Sequence, residues 1–578
     1  MPELTWIGKE KVVNHHQEVP FRVLERQYTY NADESDNMII HGDNLEALKS
    51  LLPRYEGKIK CIYIDPPYNT GNEGWVYNDN ANDPKIKKWL GEVVGREGED
   101  LSRHDKWLCM MYPRLKLLQK LLADDGAVFI SIDDNELYNL KAVCDEIFGA
   151  SCFVSTVSWQ RTYSTRNDSK GIVSEVEHIL VYSKRPGWNP NKLPRTAKMN
   201  AKYKNPDNDP QGDWRSDNAY APGAATHQGM VYAIQNPFTG KLLYPSNGRC
   251  WTFGQNDMLS IMCGWCEYEM RDLDDAHERA IICGVPDTEV RQGVKAIMLA
   301  EPLETSREKA TAVLMRGQWP RFFFSKGGQG SIARKTYLGN VGGTPPTNLW
   351  QYADVGHTDE AAKTLKAIFE GKATFDTPKP ARLIERILQI AGDKDSLILD
   401  SFAGSGTTAH AVLNMNKADG GQRRFILIEM MDYADSITAE RVKRVIDGYG
   451  ERKNATEGTG GDFSYYELGA PLLFPDGNLN EAVGAERIRE YIWYTETKAP
   501  YAPAAGDEPY YLGKHGDTGY YFYYEPDRVT ILNHEFLAGI SEKAGGYVMY
   551  ADRCALSDAE LSDYGVRFKK IPRDITKI

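Results

Sequence analysis

A chain of 578 residues has room for two to four domains, each large enough to bury its own core. Hydrophobic residues at 41% and charged residues at 26% exclude a disordered or fibrous chain, and no run approaches the 18 apolar residues of a membrane span. With no signal-peptide pattern in residues 1–10 and nine scattered cysteines, the expectation is a cytoplasmic protein with reduced thiols and no membrane partner. The formal net charge of −12 argues against a uniform phosphate-binding surface, although charge is unevenly spread along the chain.

Residues 59–64 read as a short apolar strand that ends in Asp65-Pro66-Pro67-Tyr68. Consecutive prolines fix φ, remove two N–H donors and hold the exit extended, which turns the Asp65 carboxylate and the Pro66 carbonyl outward as fixed acceptors. Two such acceptors can take both hydrogens of an NH2 group, and the Tyr68 ring can stack on the ring that carries it. The plainer alternative is a proline-stiffened strand exit with an exposed acid. Helices are predicted over 107–122 and 135–148, and strands over 127–132, 153–158 and 176–182. Trp159 is a candidate second wall for the stacked ring, with a core tryptophan as the alternative.

Residues 186–346 are rich in Pro, Gly, Asn and Asp, which predicts an irregular module inserted between two regular halves. Residues 178–206 contain no acid but carry Lys184, Arg185, Lys192, Arg195, Lys198, Lys202 and Lys204. Residues 309–353 are equally acid-free and set Arg316, Arg321, Lys326, Arg334 and Lys335 among Trp319, Phe322, Phe323, Phe324, Tyr337 and Trp350. Basic residues interleaved with aromatics suit a surface that tracks phosphates and packs on bases. Lys198, Lys202, Lys204, Arg316, Arg321 and Arg334 are the candidate nucleic-acid contacts; solvated loops around a small aromatic core are the alternative. Cys263 and Cys266 form a single CxxC pair, and even with Cys250 and Cys283 the second close pair of a zinc ribbon is missing, so no metal site is expected.

Beyond the insert, a helix over 381–390, a strand over 397–399, a helix over 407–416 and a strand over 425–428 predict an α/β unit with a mostly parallel sheet covered on both faces. The turn Asp400-Ser401-Phe402-Ala403-Gly404-Ser405-Gly406-Thr407 joins the first of these strands to its helix. Gly404 and Gly406 let the backbone pass close to a ligand, and the helix start offers free N–H groups. A phosphate loop is excluded because no Gly-Lys-Ser/Thr follows, and the dinucleotide fingerprint does not fit the strand's end at Asp400. A nucleoside carrying an amino acid suits this loop, and Glu429 closes the next strand where a carboxylate can accept ribose hydroxyls. Residues 454–462 read as a linker, followed by a tyrosine-dense tail with strand-like runs at 528–532 and 546–550.

Together the Phe-x-Gly-x-Gly loop and the Asp-Pro-Pro-Tyr tetrapeptide resemble the S-adenosylmethionine-dependent amino-methyltransferases. The tetrapeptide precedes the glycine loop and the insert lies between them, an order similar to that of the β class of DNA adenine-N6 methyltransferases. The string Asp-Pro-Pro-Tyr-Asn-Thr-Gly and the run from Glu177 to Lys184 look most like the modification (Mod) subunits of type III restriction systems.

The resemblance implies a Rossmann-like methyltransferase sheet, split over residues 1–185 and 347–454, with a target recognition domain at 186–346 and a small C-terminal α/β interaction domain at 455–578. It implies catalysis by Asp65, Pro66, Pro67 and Tyr68 on an adenine flipped out of duplex DNA. His41, Asp43 and Asn44 resemble the segment that reaches the cofactor's adenine, and Thr377 and Lys379 the element that lines its methionine pocket. Asp400, Phe402, Ala403, Gly404, Ser405, Gly406, Thr407 and Glu429 complete the implied S-adenosylmethionine site. Double-stranded DNA is the implied partner, with room for a homodimer and for a restriction (Res) subunit. The rivals are a cytosine-N4 methyltransferase, which needs the same two acceptors, and a non-catalytic DNA-recognition subunit. Cytosine-C5 chemistry is excluded because it needs a Pro-Cys nucleophile and none occurs.

Overall fold

The computed structural model describes residues 4–69, 103–164, 172–372, 374–450, 455–474, 476–499, 501, 508–526, 528–572 and 575. The chain forms two compact units, one from Met1–Asn191 with Pro346–Ile578 and one from Lys192–Pro345. The expected insert boundaries at 186 and 346 fall six residues and one residue outside the second unit.

Ten strands build the central sheet of the first unit: β1 (Arg22–Tyr30), β2 (Met38–His41), β3 (Ile59–Ile64), β4 (Leu122–Ile132), β5 (Phe153–Gln160), β6 (Val176–Ser183), β7 (Leu349–Trp350), β8 (Leu397–Asp400), β9 (Arg424–Glu429) and β10 (Phe463–Pro471). They pair in the order β1-β10-β2-β9-β8-β3-β4-β6-β5-β7. From β10 to β4 every pair is parallel, and β1 and β6 run antiparallel to their neighbours. Ile62, Ile64, Ile398, Leu399, Ile426 and Ile428 are wholly buried, as parallel strands covered on both faces require.

The covering helices include α1 (Asn44–Tyr55), α2 (Arg103–Leu121), α3 (Leu137–Cys144), α4 (Ala381–Ala391), α5 (Thr407–Asp419) and α6 (Glu440–Asp447). Leu383, Ile384, Ile387, Leu388 and Ala391 form one apolar stripe at helical spacing, and α4 uses it to pack on α5 and β3. The predicted helix at 135–148 is shorter than expected, because residues Asp145–Gly149 wind as a π turn.

The tail differs most from expectation. Residues 454–462 are not wholly a linker, since Thr456–Glu457 pairs with Gly448–Tyr449, and β10 enters the central sheet between β1 and β2. Helix α7 (Ala485–Thr497) and the strands β11 (Tyr511–His515), β12 (Thr518–Phe522), β13 (Gly546–Ala551) and β14 (Val566–Lys570) follow, the strands pairing in chain order. Trp493, Tyr520, Phe522 and Tyr550 share one continuous core with Leu48 of α1 and Leu121 of α2. Tyr521 instead lies in a second core built within the tail, with Leu532, Met549 and Val566, and Tyr510, Tyr511 and Tyr523 pack against it. The tail and the first half belong to one compact unit. Of the expected strand at 528–532, only Ile531–Leu532 pairs.

The second unit holds a three-stranded sheet, Phe322–Phe324, Ile332–Tyr337 and Trp214–Asn218, and a four-stranded one of Leu242–Leu243, Ile234–Gln235, Ala296–Leu299 and Tyr268–Arg271. Phe322, Phe323, Phe324 and Tyr337 are buried with Trp214, Trp251 and Trp265. The aromatics expected to stack on bases are therefore this unit's core, and Trp350 is likewise buried in β7 of the first unit. Lys335 is not a surface cation either. Its ammonium is wholly buried, 2.5 Å from Asp207 Oδ2, 2.5 Å from Asp209 Oδ2 and 2.7 Å from the Trp319 carbonyl. Removing one member of a buried ion cluster strands the other charges without water. Lys335→Met is expected to lower stability by about 3–5 kcal/mol, read as a drop in the urea midpoint; an unchanged midpoint would contradict the buried-cluster account.

Candidate active site

In a parallel sheet the carboxyl ends of the strands share one edge, and ligands bind there where the strand order reverses. Here the order reverses between β3, which leads to β4, and β8, which leads to β9 on the other side. Leu399 pairs with Ile62, Asp400 with Leu427 and Glu429 with His41. The segments after β2, β3, β8 and β9 therefore converge, although they lie up to almost 400 residues apart.

After β3 the prolines stop the ladder and Trp107 Nε1 donates to the Pro67 carbonyl at 2.7 Å, which fixes the exit. The Asp65 carboxylate keeps 24% of its surface exposed. Its Oδ1 accepts from the Tyr68 hydroxyl at 2.9 Å, and its Oδ2 accepts from Lys379 Nζ at 2.6 Å. That ammonium also lies 5.0 Å from the centre of the Tyr68 ring. An N–H donor held by the acid over the ring occupies the position expected for an aromatic amine. Lys379, expected to line the methionine pocket, also meets the glycine loop through its main chain, whose carbonyl accepts from Thr407 Oγ1 at 3.3 Å. Thr377 is exposed.

Glu177 completes the cluster. It is 6% exposed, accepts from the Tyr68 hydroxyl at 3.1 Å and from Arg161 at 3.0 Å, and lies 3.7 Å from Lys379 Nζ. Sequence reasoning placed it only in a resembling string. The missing signal is strand direction: β6 is antiparallel, so its first residues, not its last, reach this edge. Trp159, by contrast, is 1% exposed and donates to the Gly356 carbonyl, so it is a core residue and forms no wall for a stacked ring.

After β8 the buried Asp400 folds the turn back on itself, accepting from the Phe402 N–H at 3.0 Å and from Thr408 Oγ1 at 2.6 Å. Ala403 N–H donates to the Ile428 carbonyl, and Gly404 N–H donates to Glu429 Oε2 at 2.7 Å. Gly404 has φ +52°, and a Cβ there would lie 3.0 Å from the Phe375 ring; at Gly406, φ +81°, it would lie 3.0 Å from the Thr438 carbonyl. The Ser401 hydroxyl, within this turn, is buried without a hydrogen-bond partner.

After β2, His41 Nδ1 lies 2.9 Å from Glu467. Asp43 caps α1 by accepting from the Leu45 and Glu46 N–H groups, and Asn44 donates to the Ser401 carbonyl at 3.1 Å. The buried Arg114 holds both, donating to Asn44 Oδ1 and lying 3.4 Å from Asp43 Oδ2. In the second unit Lys198, Lys202, Lys204, Arg316 and Arg321 are exposed. Arg334 is half-buried, 3.8 Å from Asp217.

A profile of the N6 and N4 methyltransferases, described as DNA methylase, matches residues 59–239 and 258–440. The chain belongs to this DNA methylase family. Among its relatives, the Mod subunit of the type III restriction-modification enzyme StyLTI from Salmonella typhimurium is 33% identical over 81% of this chain and 66% of its own. The EcoPI Mod subunit of Escherichia phage P1 is 29% identical over 74% and 63%, and the type II methyltransferase M.KpnI of Klebsiella pneumoniae 29% over 70% and 85%. The DNA methylase chain thus spans just under two thirds of the length of these Mod subunits. Both motif segments lie inside the family match.

Burial pushes Asp400 and Glu429 each up to about 7, with the charge of Asp65 adding to the shift at Asp400. Each holds a proton in the folded state at a pH where the unfolded carboxyl has released it. Their contribution to stability is therefore complete below about pH 4 and is lost as pH rises through 7. Asp400→Asn is expected to flatten the decline of the urea midpoint between pH 5 and 8 in the ligand-free protein. A pH slope equal to that of the wild type would contradict the assignment.

Proposed function

We propose that this DNA methylase transfers a methyl group from S-adenosylmethionine to N6 of an adenine flipped out of duplex DNA, as the modification component of a restriction-modification system. The observation that carries this reading is the meeting of Asp65 and Tyr68 with the glycine loop and Glu429 along one edge of adjacent parallel strands. A nucleoside site and an amine site side by side suit methyl transfer and no simpler binding role.

The residues present fit the cofactor. The glycine turn leaves room that a Cβ would fill, Glu429 offers a fixed carboxylate to ribose hydroxyls, and the unpartnered Ser401 hydroxyl adds a polar contact. Bound there, S-adenosylmethionine supplies an electrophilic methyl. This chain's own work is positioning and electrostatics. Unstacking the adenine costs a few kcal/mol, and the Tyr68 face and the Asp65 carboxylate recover part of that cost. Lys379 withdraws as the adenine amine donates to Asp65. As the N–CH3 bond formed and the S–CH3 bond broke, the sulfur would leave as a neutral thioether, and Asp65 and Glu177 would stabilise the positive charge on nitrogen until one of its protons passed to solvent. Glu177 and Arg161 hold the Tyr68 hydroxyl and so fix the ring. Asp65 at the head of the tetrapeptide and the kinship with Mod subunits support adenine over cytosine. The exposed cations Lys198, Lys202, Lys204, Arg316 and Arg321, with Arg334, supply phosphate and base contacts from the insert. We place the protein in the cytoplasm.

Asp65→Ala is expected to lower methyl transfer by at least about 100-fold while calorimetric S-adenosylmethionine affinity stays within a few-fold of wild type. Wild-type turnover in that variant would refute the amine site. Gly404→Val, strained at positive φ and pressed against Phe375, is expected to lose cofactor binding with an unchanged circular dichroism spectrum; unaltered affinity would move the cofactor elsewhere.

A further inference from the structure

We infer that Arg441 is a positioning residue that reads the carboxylate on the cofactor's amino-acid arm, an inference that rests on the S-adenosylmethionine reading. Arg441, on α6, is 1% exposed and lies behind the glycine turn. Its Nη1 donates to Ser405 Oγ and Thr407 Oγ1, both at 2.8 Å, and to the Ser405 carbonyl at 3.3 Å; its Nη2 donates to His410 Nδ1 at 3.2 Å. Its Nε has no partner. Every one of these acceptors is neutral, and the buried His410 is itself held uncharged, pushed down to about 3 by burial and then by the guanidinium.

The contrast with the other buried arginines among the described residues is sharp. Arg114 has Asp43, Arg279 has Asp275 and Arg423 has Asp419 within ion-pair distance, whereas Arg441 has no carboxylate. A buried cation without a counter-charge is costly, and a fold keeps one where a ligand supplies the missing charge.

The turn also has a direction. Gly404 N–H binds Glu429, the ribose end, while Thr407 Oγ1 binds the main chain of Lys379, whose ammonium reaches Asp65, the methyl-accepting end. A ligand laid between these points carries its amino-acid arm past Ser405 and Thr407, the two residues Arg441 grips. Because the Ser405 oxygen accepts from Arg441, its own hydrogen is left to donate toward an anion. The start of α5 adds positive potential of the same sign. Arg441 thus orients one hydroxyl donor and supplies a buried positive field for the carboxylate.

The test compares calorimetric affinities of wild type, Arg441→Lys and Arg441→Met for S-adenosylmethionine and for decarboxylated S-adenosylmethionine, which keeps the amine and loses only the carboxylate. Wild type is expected to favour the carboxylate-bearing ligand by about tenfold or more. Arg441→Lys retains most of that ratio and Arg441→Met brings it close to one. A merely structural arginine would weaken both ligands together and leave the ratio unchanged. Ser405→Ala, which keeps the guanidinium in place, is the second variant and lowers the same ratio even if Arg441→Met fails to fold. A ratio in Arg441→Met or Ser405→Ala equal to that of wild type overturns the inference alone. Failure of wild type to bind S-adenosylmethionine overturns the cofactor reading and this inference with it.

Discussion

The parallel pairing of β3 with β8 is the constraint on which the site depends. Ile398 lies opposite Cys61 and Leu399 opposite Ile62, so two segments more than 330 residues apart end side by side. Both strands are buried on both faces, and apolar alternation therefore does little to set their register. Specific bonds at the strand ends do it instead. Trp107 fixes the Pro67 carbonyl, Asn44 fixes the Ser401 carbonyl, and the Ala403 N–H reaches across to Ile428 on β9. A slip by one residue would turn Asp65 away from the shared edge.

Crowding acids at that edge has an electrostatic cost, and the molecule distributes it unevenly. Asp65 and Glu177 share the cation Lys379, with Arg161 behind Glu177. Asp400 and Glu429 lie deeper, held by backbone N–H groups and a threonine hydroxyl rather than by cations, and burial dominates their ionisation. In the reading proposed above, the internal ammonium stands where an incoming base would displace it, and the cofactor edge is built from fixed dipoles. Such an arrangement suits a reaction that must hold a neutral amine and a cationic methyl donor in line.

Much of this was legible before any coordinates. The strand at Ile59–Ile64 and the turn after β8 follow from apolar runs broken by prolines and glycines, because those residues fix backbone geometry locally. What depends on tertiary burial was not. The Phe322–Phe324 run and Lys335 looked like a nucleic-acid surface in a window free of acids, yet the acids that neutralise Lys335 come from Asp207 and Asp209, more than 120 residues earlier. Glu177 was visible only as part of a resembling string, because an antiparallel strand delivers its first residues to the edge where Asp65 lies. The tyrosine-rich tail carries no motif, and the entry of β10 between β1 and β2, with Trp493, Tyr520 and Tyr550 joining the central core, is set by tertiary packing.

The central claim is that the pocket formed by Asp65 and Tyr68 receives the exocyclic amine of adenine in DNA. Mass spectrometry of deoxynucleosides from the DNA of a methylation-free host expressing this chain tests it most directly. The account predicts N6-methyladenine above the level of the host alone; N4-methylcytosine as the product, or DNA left unmodified by a folded protein that binds S-adenosylmethionine, would contradict it.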